Sequence, residues 1–260
     1  MTQIFFKQAL KTGVIGAFLI AGTQTAMAQI SLTNTSSNVT VQQIGDDNLT
    51  NIQTSGNNVT TLIQNGSGHV ANIDIDGLKD EGLIEQTGQN NLAEVSITGD
   101  DNRFDISQSS DGAVNVSKLL QDGNFNTADI TQDAAGYSVG FGNLAEVNQI
   151  GNSNAASIQQ TALAAGTVRF NNQSLINQTG DDNLATSTQI GINNFTEQEQ
   201  VGDRNTSEIL QTGDDNLAIH RQFGNDLSLA SSFGGLVIEQ TGGAEIIVEQ
   251  YSAGHIPPPF

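Results

Sequence analysis

The sequence predicts an all-β chain: a β-solenoid of 22-residue coils, two 11-residue strand-turn units each, whose strands build two stacked parallel sheets. Three observations carry this. A glutamine returns every 11 residues at Gln178, Gln189, Gln200, Gln211 and Gln222. The first four each open the phrase Gln-x-Gly-x-x-Asn. Between the phrases, small or apolar residues alternate with polar ones. A fixed period marks a chain that stacks one small unit on itself.

The alternation supplies the strands. Ala128, Ile130 and Gln132 share one parity, with Asp129 and Thr131 between them; Ala145, Val147 and Gln149 repeat the pattern around Glu146 and Asn148. Period two with β-branched or small residues on one face is a strand, and no sustained 3.6-residue period competes with it. The turns follow from Gly180, Gly191, Gly202 and Gly213 with Asn183, Asn194, Asn205 and Asn216, since Gly and Asn tolerate positive φ. Two units make one flat coil. Coils stacked about 4.8 Å apart over 39–250 give roughly nine or ten turns and a rod on the order of 45 Å. Position i then sits over i+22, which predicts a column Gln178–Gln200–Gln222, another Gln189–Gln211, and a charged column Asp182–Arg204–Asp226. Stacked amides satisfy one another where burial would otherwise be costly.

Taken in chain order, residues 1–28 read as a secretory signal peptide. Lys7 and Lys11 precede an apolar run, and Ala26-Met27-Ala28 is a small-residue cleavage pattern. Residues 29–38 form an N-terminal segment outside the phrase. The glutamine slot then runs through Gln43, Thr54, Gln64, Ile75, Gln86, Ile97, Gln108, Gln121, Gln132, Gln149 and Gln160 before the regular stretch at 173–222. Longer gaps at 133–143, 161–172 and 224–238 are expected to be loops bulging from the stack. The tail 251–260, with Pro257, Pro258 and Pro259, cannot continue a strand ladder. The side chains expected to carry assembly are Gln43, Gln86, Gln121, Gln149, Gln178, Gln189, Gln200, Gln211, Gln222 and the four turn asparagines.

Composition narrows the function. Two of the eight Lys and Arg and none of the 28 Asp and Glu lie in 1–28, so the remainder carries a formal charge of −22. Such a surface repels nucleic acid and anionic lipid. No later segment approaches transmembrane length. There is no Cys, so an exported chain must be held by backbone pairing and side-chain ladders rather than disulfides. Asp46-Asp47, Asp100-Asp101, Asp181-Asp182 and Asp214-Asp215 all sit in Gly-Asp-Asp-Asn turns. Calcium chelation there would need six or more oxygens, so they read as self-capping turns. His69, His220 and His255 are scattered, and His220 shares the inward parity of Ala218 and Gln222. No nucleophile, phosphate-loop or metal-ligand motif is present. The expectation is no enzyme, no cofactor, and no catalytic or metal residue.

The phrase Gln178-Thr-Gly180-Asp-Asp-Asn183-Leu-Ala185, with Gln189 following, resembles the curlin repeat. So do Gln211 to Ala218 with Gln222, Gln149 to Ala156 with Gln160, and Gln86 to Ala93 with Ile97 in the second slot. The resemblance covers about 39–250. Curlins are the subunits, major or minor, of curli, the amyloid fibres of bacterial biofilms. It implies an amyloid-competent subunit of a pilus-type surface fibre, serving cell adhesion and biofilm matrix. It implies export through an outer-membrane pore with periplasmic chaperones and polymerisation outside a Gram-negative cell by end-to-end strand addition, with itself or a related curlin. Residues 29–38 would be the pore-targeting segment. The alternatives are a monomeric repeat adhesin and a calcium-binding β-roll.

Overall fold

The computed structural model describes residues 14–21, 27–35, 37–134, 140–162, 171–227 and 236–252, and every regular element among them is a β-strand. The strands are β1 (Val14–Ala21), β2 (Met27–Thr35), β3 (Asn38–Gly45), β4 (Leu49–Gly56), β5 (Val59–Ser67), β6 (Val70–Asp76) and β7 (Glu81–Gln89). They continue as β8 (Leu92–Thr98), β9 (Arg103–Ser110), β10 (Ala113–Asp122), β11 (Thr127–Ala134), β12 (Gly140–Ile150), β13 (Ala155–Ala162) and β14 (Asn172–Thr179). The last are β15 (Leu184–Ile190), β16 (Asn194–Val201), β17 (Thr206–Thr212), β18 (Leu217–Phe223), β19 (Leu236–Thr241) and β20 (Glu245–Tyr251). Odd strands form one 10-stranded sheet in sequence order and even strands a second. Each strand pairs in parallel with the strand two ahead of it, which is the topology of a two-sheet β-solenoid.

Local chemistry explains the strands. In β11, Ala128, Ile130 and Gln132 are buried while Thr127, Asp129 and Thr131 are exposed. Three inward residues per strand face three from the other sheet, so the core is a narrow slot. One apolar cluster runs from Val39 to Ala185 and a second joins Ile209, Ala218 and Ile238. Shape is matched within it: Phe104 is fully buried because its column neighbour is Gly82, where any Cβ would overlap the Phe104 ring.

Between the clusters the core is polar. Thr196 links Ser187 and Ser174, each at 2.8 Å, and Gln198 Nε2 donates to Ser207 Oγ at 2.7 Å. Ser207 in turn meets His220 Nδ1 at 2.6 Å. His220 is therefore buried, and desolvation holds its pKa below the ordinary value.

The turns differ from expectation in one respect. The glycines take positive φ, for example Gly202 at 117°. The phrase asparagines do not; the residue before each does, at Asp182 (57°), Asn193 (58°), Arg204 (57°) and Asp215 (60°). Asn occupies its slot for its side-chain hydrogen bonds instead. The left-handed slot accepts any residue at a cost of about 1–2 kcal/mol unless it is Gly, Asn or Asp. Phe125 holds that conformation (58°) and is 60% exposed. Phe125→Asn is expected to raise stability by about 0.5–1 kcal/mol, seen as a higher urea midpoint at unchanged slope.

The three expected loops contain 135–139, 163–170 and 228–235, which lie outside the described residues. Stacking resumes after each: Gln132 meets Gln160 28 residues on, and Gln211 meets Gln240 29 on, against 22 for Gln178 and Gln200. Pairing also begins before the repeat, because β1 lies on β3 and β2 on β4. The tail 253–260, with His255 and the prolines, lies outside the described residues.

Candidate functional site: two glutamine ladders and two asparagine columns

The glutamines fall into two separate ladders. In the odd sheet, each of Gln43, Gln64, Gln86, Gln108, Gln132, Gln160, Gln189 and Gln211 donates from Nε2 to Oε1 of the next, ending on Gln240, at 2.7–3.0 Å. In the even sheet the ladder runs Gln121, Gln149, Gln178, Gln200, Gln222, Gln250 at 2.8–2.9 Å. Thr54, Ile75 and Ile97 occupy the earlier even slots.

A second bond explains why glutamine is used. From Gln64 to Gln222 the other N–H of each amide crosses the slot to a backbone carbonyl, as from Gln189 to Gln173 O (2.8 Å), Gln200 to Leu184 O (3.0 Å) and Gln211 to Phe195 O (3.0 Å), whereas that of Gln43 goes to Thr50 Oγ1 (3.0 Å). Both donors are thus satisfied inside a buried core, one along the rod and one across it, as a buried amide requires. Gln121 Oε1 is buried without a partner, because Ile97 below it offers no donor.

The asparagines bind coil to coil at the corners. Asn183 Oδ1 accepts from Asn205 N at 3.0 Å and its Nδ2 donates to Gly202 O at 2.7 Å, both one coil on. Asn194 does the same with Asn216 N (3.1 Å) and Gly213 O (2.8 Å). Asn205 reaches Leu227 N and Gly224 O, and Asn216 receives Ala244 N. All four are buried. Beneath them the glycines approach so closely that a Cβ on Gly180, Gly191 or Gly202 would overlap the carbonyl of the glycine one coil on.

The acidic turns belong to this stacking. The first Asp of a pair accepts a backbone N–H from the previous coil: Asp181 from Asn152, Asp214 from Ile192, Asp100 from Leu78, at 2.7–2.9 Å. The second takes the left-handed slot. In the charged column, Arg204 pairs with Asp226 through two bonds, 2.6 and 2.8 Å. That pair is exposed, and Arg204 draws the Asp226 carboxyl below its ordinary pKa.

Two columns contain substitutes that the phrase conceals. His69 holds an asparagine position, with Nδ1 accepting from Asn91 N at 3.3 Å, and burial lowers its pKa. Asp80 holds another, accepting from Asn102 N at 2.8 Å through Oδ1, with Oδ2 buried and unpartnered. Burial pushes the Asp80 carboxyl up to about 6 from 3.8, partly offset by the bonds from Asn102 and reinforced by Asp100 and Asp101. A folded-state pKa above the unfolded one means that the ionised form opposes folding. The penalty, roughly 3 kcal/mol, is full above pH 6 and is relieved as pH falls towards 3.8. Asp80→Asn is expected to stabilise the chain at pH 7 and to erase this gain on acidification. Urea midpoints of both chains at about pH 7 and about pH 4.5 check it, and the difference between the chains cancels the opposite trend from His69.

The matched family model has the description "Curlin associated repeat" and covers residues 80–109. The chain carries a curlin repeat. It spans β7 to β9, where Gln86 and Gln108 make one odd-sheet rung at 2.9 Å. Curlin repeats are units of structural fibre subunits rather than of enzymes. No curated protein and no solved structure matches the chain. Among the described residues, no helix is long and apolar enough to cross a membrane.

The curlin phrase led to most of the rungs. Gln240 and Gln250 escaped it, because the inserted residues between Gln222 and Ile238 break the 11-residue count. An inward-parity glutamine closing each of the last two strands, in Val237-Ile238-Glu239-Gln240 and Val248-Glu249-Gln250, was the available clue.

Proposed function

We propose that this chain is a secreted structural subunit of curli-like amyloid fibres, a pilus-type surface fibre for cell adhesion and biofilm matrix. Residues 1–28 act as the signal peptide and 29–38 as the pore-targeting segment. Export uses an outer-membrane pore and periplasmic chaperones of a Gram-negative cell. Subunits join end to end, with themselves or a related curlin, and the glutamine and asparagine columns are the elements extended from one copy to the next.

One observation supports this reading above the others. Both ladders run with a single polarity to the last described strands, and among the described residues those strands pair on one side only. Inner residues of β18 are buried, whereas Ile246 and Val248 of β20 are only partly covered. A strand edge left unpaired is a template for another strand.

The test is thioflavin T fluorescence with electron microscopy on the chain starting at Gln29, diluted from denaturant to neutral pH. The expected result is a lag phase, unbranched fibres, and loss of the lag on adding preformed seeds. A stable β monomer indifferent to seeds overturns the reading.

A further inference from the structure

We propose that His220 is a pH-operated latch on the last strand: it holds β20 on the stack at neutral pH and releases it in acid. The imidazole is buried at the middle inward position of β18, with Val248 of β20 next in its column. From β4 onwards that column holds apolar residues, such as Ile73, Val95, Leu119, Val147 and Ile176, until Gln198 and His220 break the run. A slot that needed only filling would have kept an aliphatic side chain there.

The hydrogen bonds fix which nitrogen carries the proton. Nε2 lies 2.9 Å from Gln250 Oε1, an amide oxygen that can only accept, so Nε2 is the protonated nitrogen. Gln250 Oε1 also takes the last even rung, from Gln222 at 2.8 Å. Through Gln250, β20 is therefore tied to two side chains of β18. Nδ1 of the neutral ring is bare and accepts from the Ser207 hydroxyl at 2.6 Å, whose oxygen accepts from Gln198 Nε2 at 2.7 Å. A proton added at Nδ1 turns that acceptor into a donor, so the Ser207 hydroxyl hydrogen loses its partner. It also places a cation in a slot without a counter-ion. Among the described residues no titratable or charged side chain faces the ring. The ionisable residues of the surrounding strands all take the outward parity: Glu197 and Glu199 of β16, Glu208 of β17, Arg221 of β18, Glu239 of β19, and Glu245, Glu249 and Tyr251 of β20.

The rest of β20 is lightly held. Ile246 and Val248 are only partly covered, and they rest on the small cluster of Ile209, Ala218 and Ile238, apart from the main apolar core. The other side-chain ties, Arg221 to Glu249 at 3.4 Å and Tyr251 stacked on Phe223 at 5.4 Å, lie on the outer face. Burial holds the closed ring below its ordinary pKa of 6.5, partly offset by the bond to Gln250, and opening returns it to water. Closure is thus at full strength above 6.5 and weakens as pH falls below it. Between about pH 7.5 and about pH 5, one such group raises the open population by at most roughly thirtyfold.

Hydrogen exchange reads the latch. It concerns a single chain and does not depend on fibre assembly, so the 260-residue chain is labelled at a concentration where it sediments as a monomer. Protection of the Glu245–Tyr251 amides, corrected for intrinsic exchange, is compared at about pH 7.5 and about pH 5. Three chains are measured: unaltered, His220→Gln and His69→Asn. Glutamine keeps an N–H near the Nε2 position but does not titrate, and His69→Asn removes the other described histidine, at a distant corner. The expected result is a loss of protection of about three- to thirtyfold in the unaltered and His69→Asn chains, and of less than about twofold in the His220→Gln chain. No loss in the unaltered chain, an equal loss in the His220→Gln chain, or a loss that disappears in the His69→Asn chain overturns the inference. So do β20 amides that are unprotected at about pH 7.5. Nitrogen NMR shifts of the imidazole in the unaltered chain check the same point without any substitution. A neutral ring protonated on Nε2 is expected at about pH 7.5, and one protonated on Nδ1 overturns the latch.

Discussion

Gly202→Ala is expected to be the most damaging single substitution in the regular part of the chain, costing about 2–5 kcal/mol. Two effects add. Gly202 has φ of 117°, in the region that favours glycine, and an L-residue held at positive φ costs about 1–2 kcal/mol. The new Cβ also overlaps the Gly224 carbonyl and crowds Asn225 Oδ1. That carbonyl cannot step aside, because it accepts from Asn205 Nδ2 at 2.8 Å, so overpacking adds about 1–3 kcal/mol. Gly242→Ala separates the two effects. Gly242 has φ of 63° but no atom within 4 Å of its Cβ position, so it should lose only the conformational part. Urea denaturation of both variants checks the difference. Equal losses would mean that close stacking of the glycines contributes nothing.

Breaking the even ladder at its middle comes second. Gln200→Leu removes the rungs to Gln178 and Gln222 and the cross-slot bond to Leu184 O. It leaves the Gln222 Oε1 buried with no amide donor below it. An orphaned buried polar group costs about 1–3 kcal/mol, so a loss on the order of 2–3 kcal/mol is expected. The triple change Gln178→Leu, Gln200→Leu, Gln222→Leu should cost clearly less than three times that, because apolar contacts replace the inner rungs and only the outer ends are orphaned. Ile75 and Ile97 already fill the same slot in the earlier coils. Fibre formation reads the same contrast: the triple variant should nucleate far more slowly than a chain altered at the outward, half-buried Thr186 and Thr188. Equal effects from the two sets would remove the ladder from the assembly mechanism.

The sequence by itself determined the strand and turn of each unit and the register wherever the spacing stayed constant. Both follow from local chemistry. Inward parity at Ala128, Ile130 and Gln132 makes a strand, Gly202 permits its turn, and a constant unit length places Gln178 over Gln200 and Arg204 over Asp226. Tertiary structure decided what depends on neighbours far along the chain. It carried the two glutamine ladders across insertions that reset the count, from Gln132 to Gln160 and from Gln211 to Gln240. Asn183 and its counterparts proved to be coil-to-coil binders rather than positive-φ residues, a role set by a carbonyl and an amide one coil away. His69 and Asp80 entered the asparagine columns although neither matches the phrase, because the column selects a residue that can accept a hydrogen bond at that height, whatever its name. Gly82 makes sense only beneath Phe104, since volume in a slot-shaped core is balanced between stacked coils and not within one.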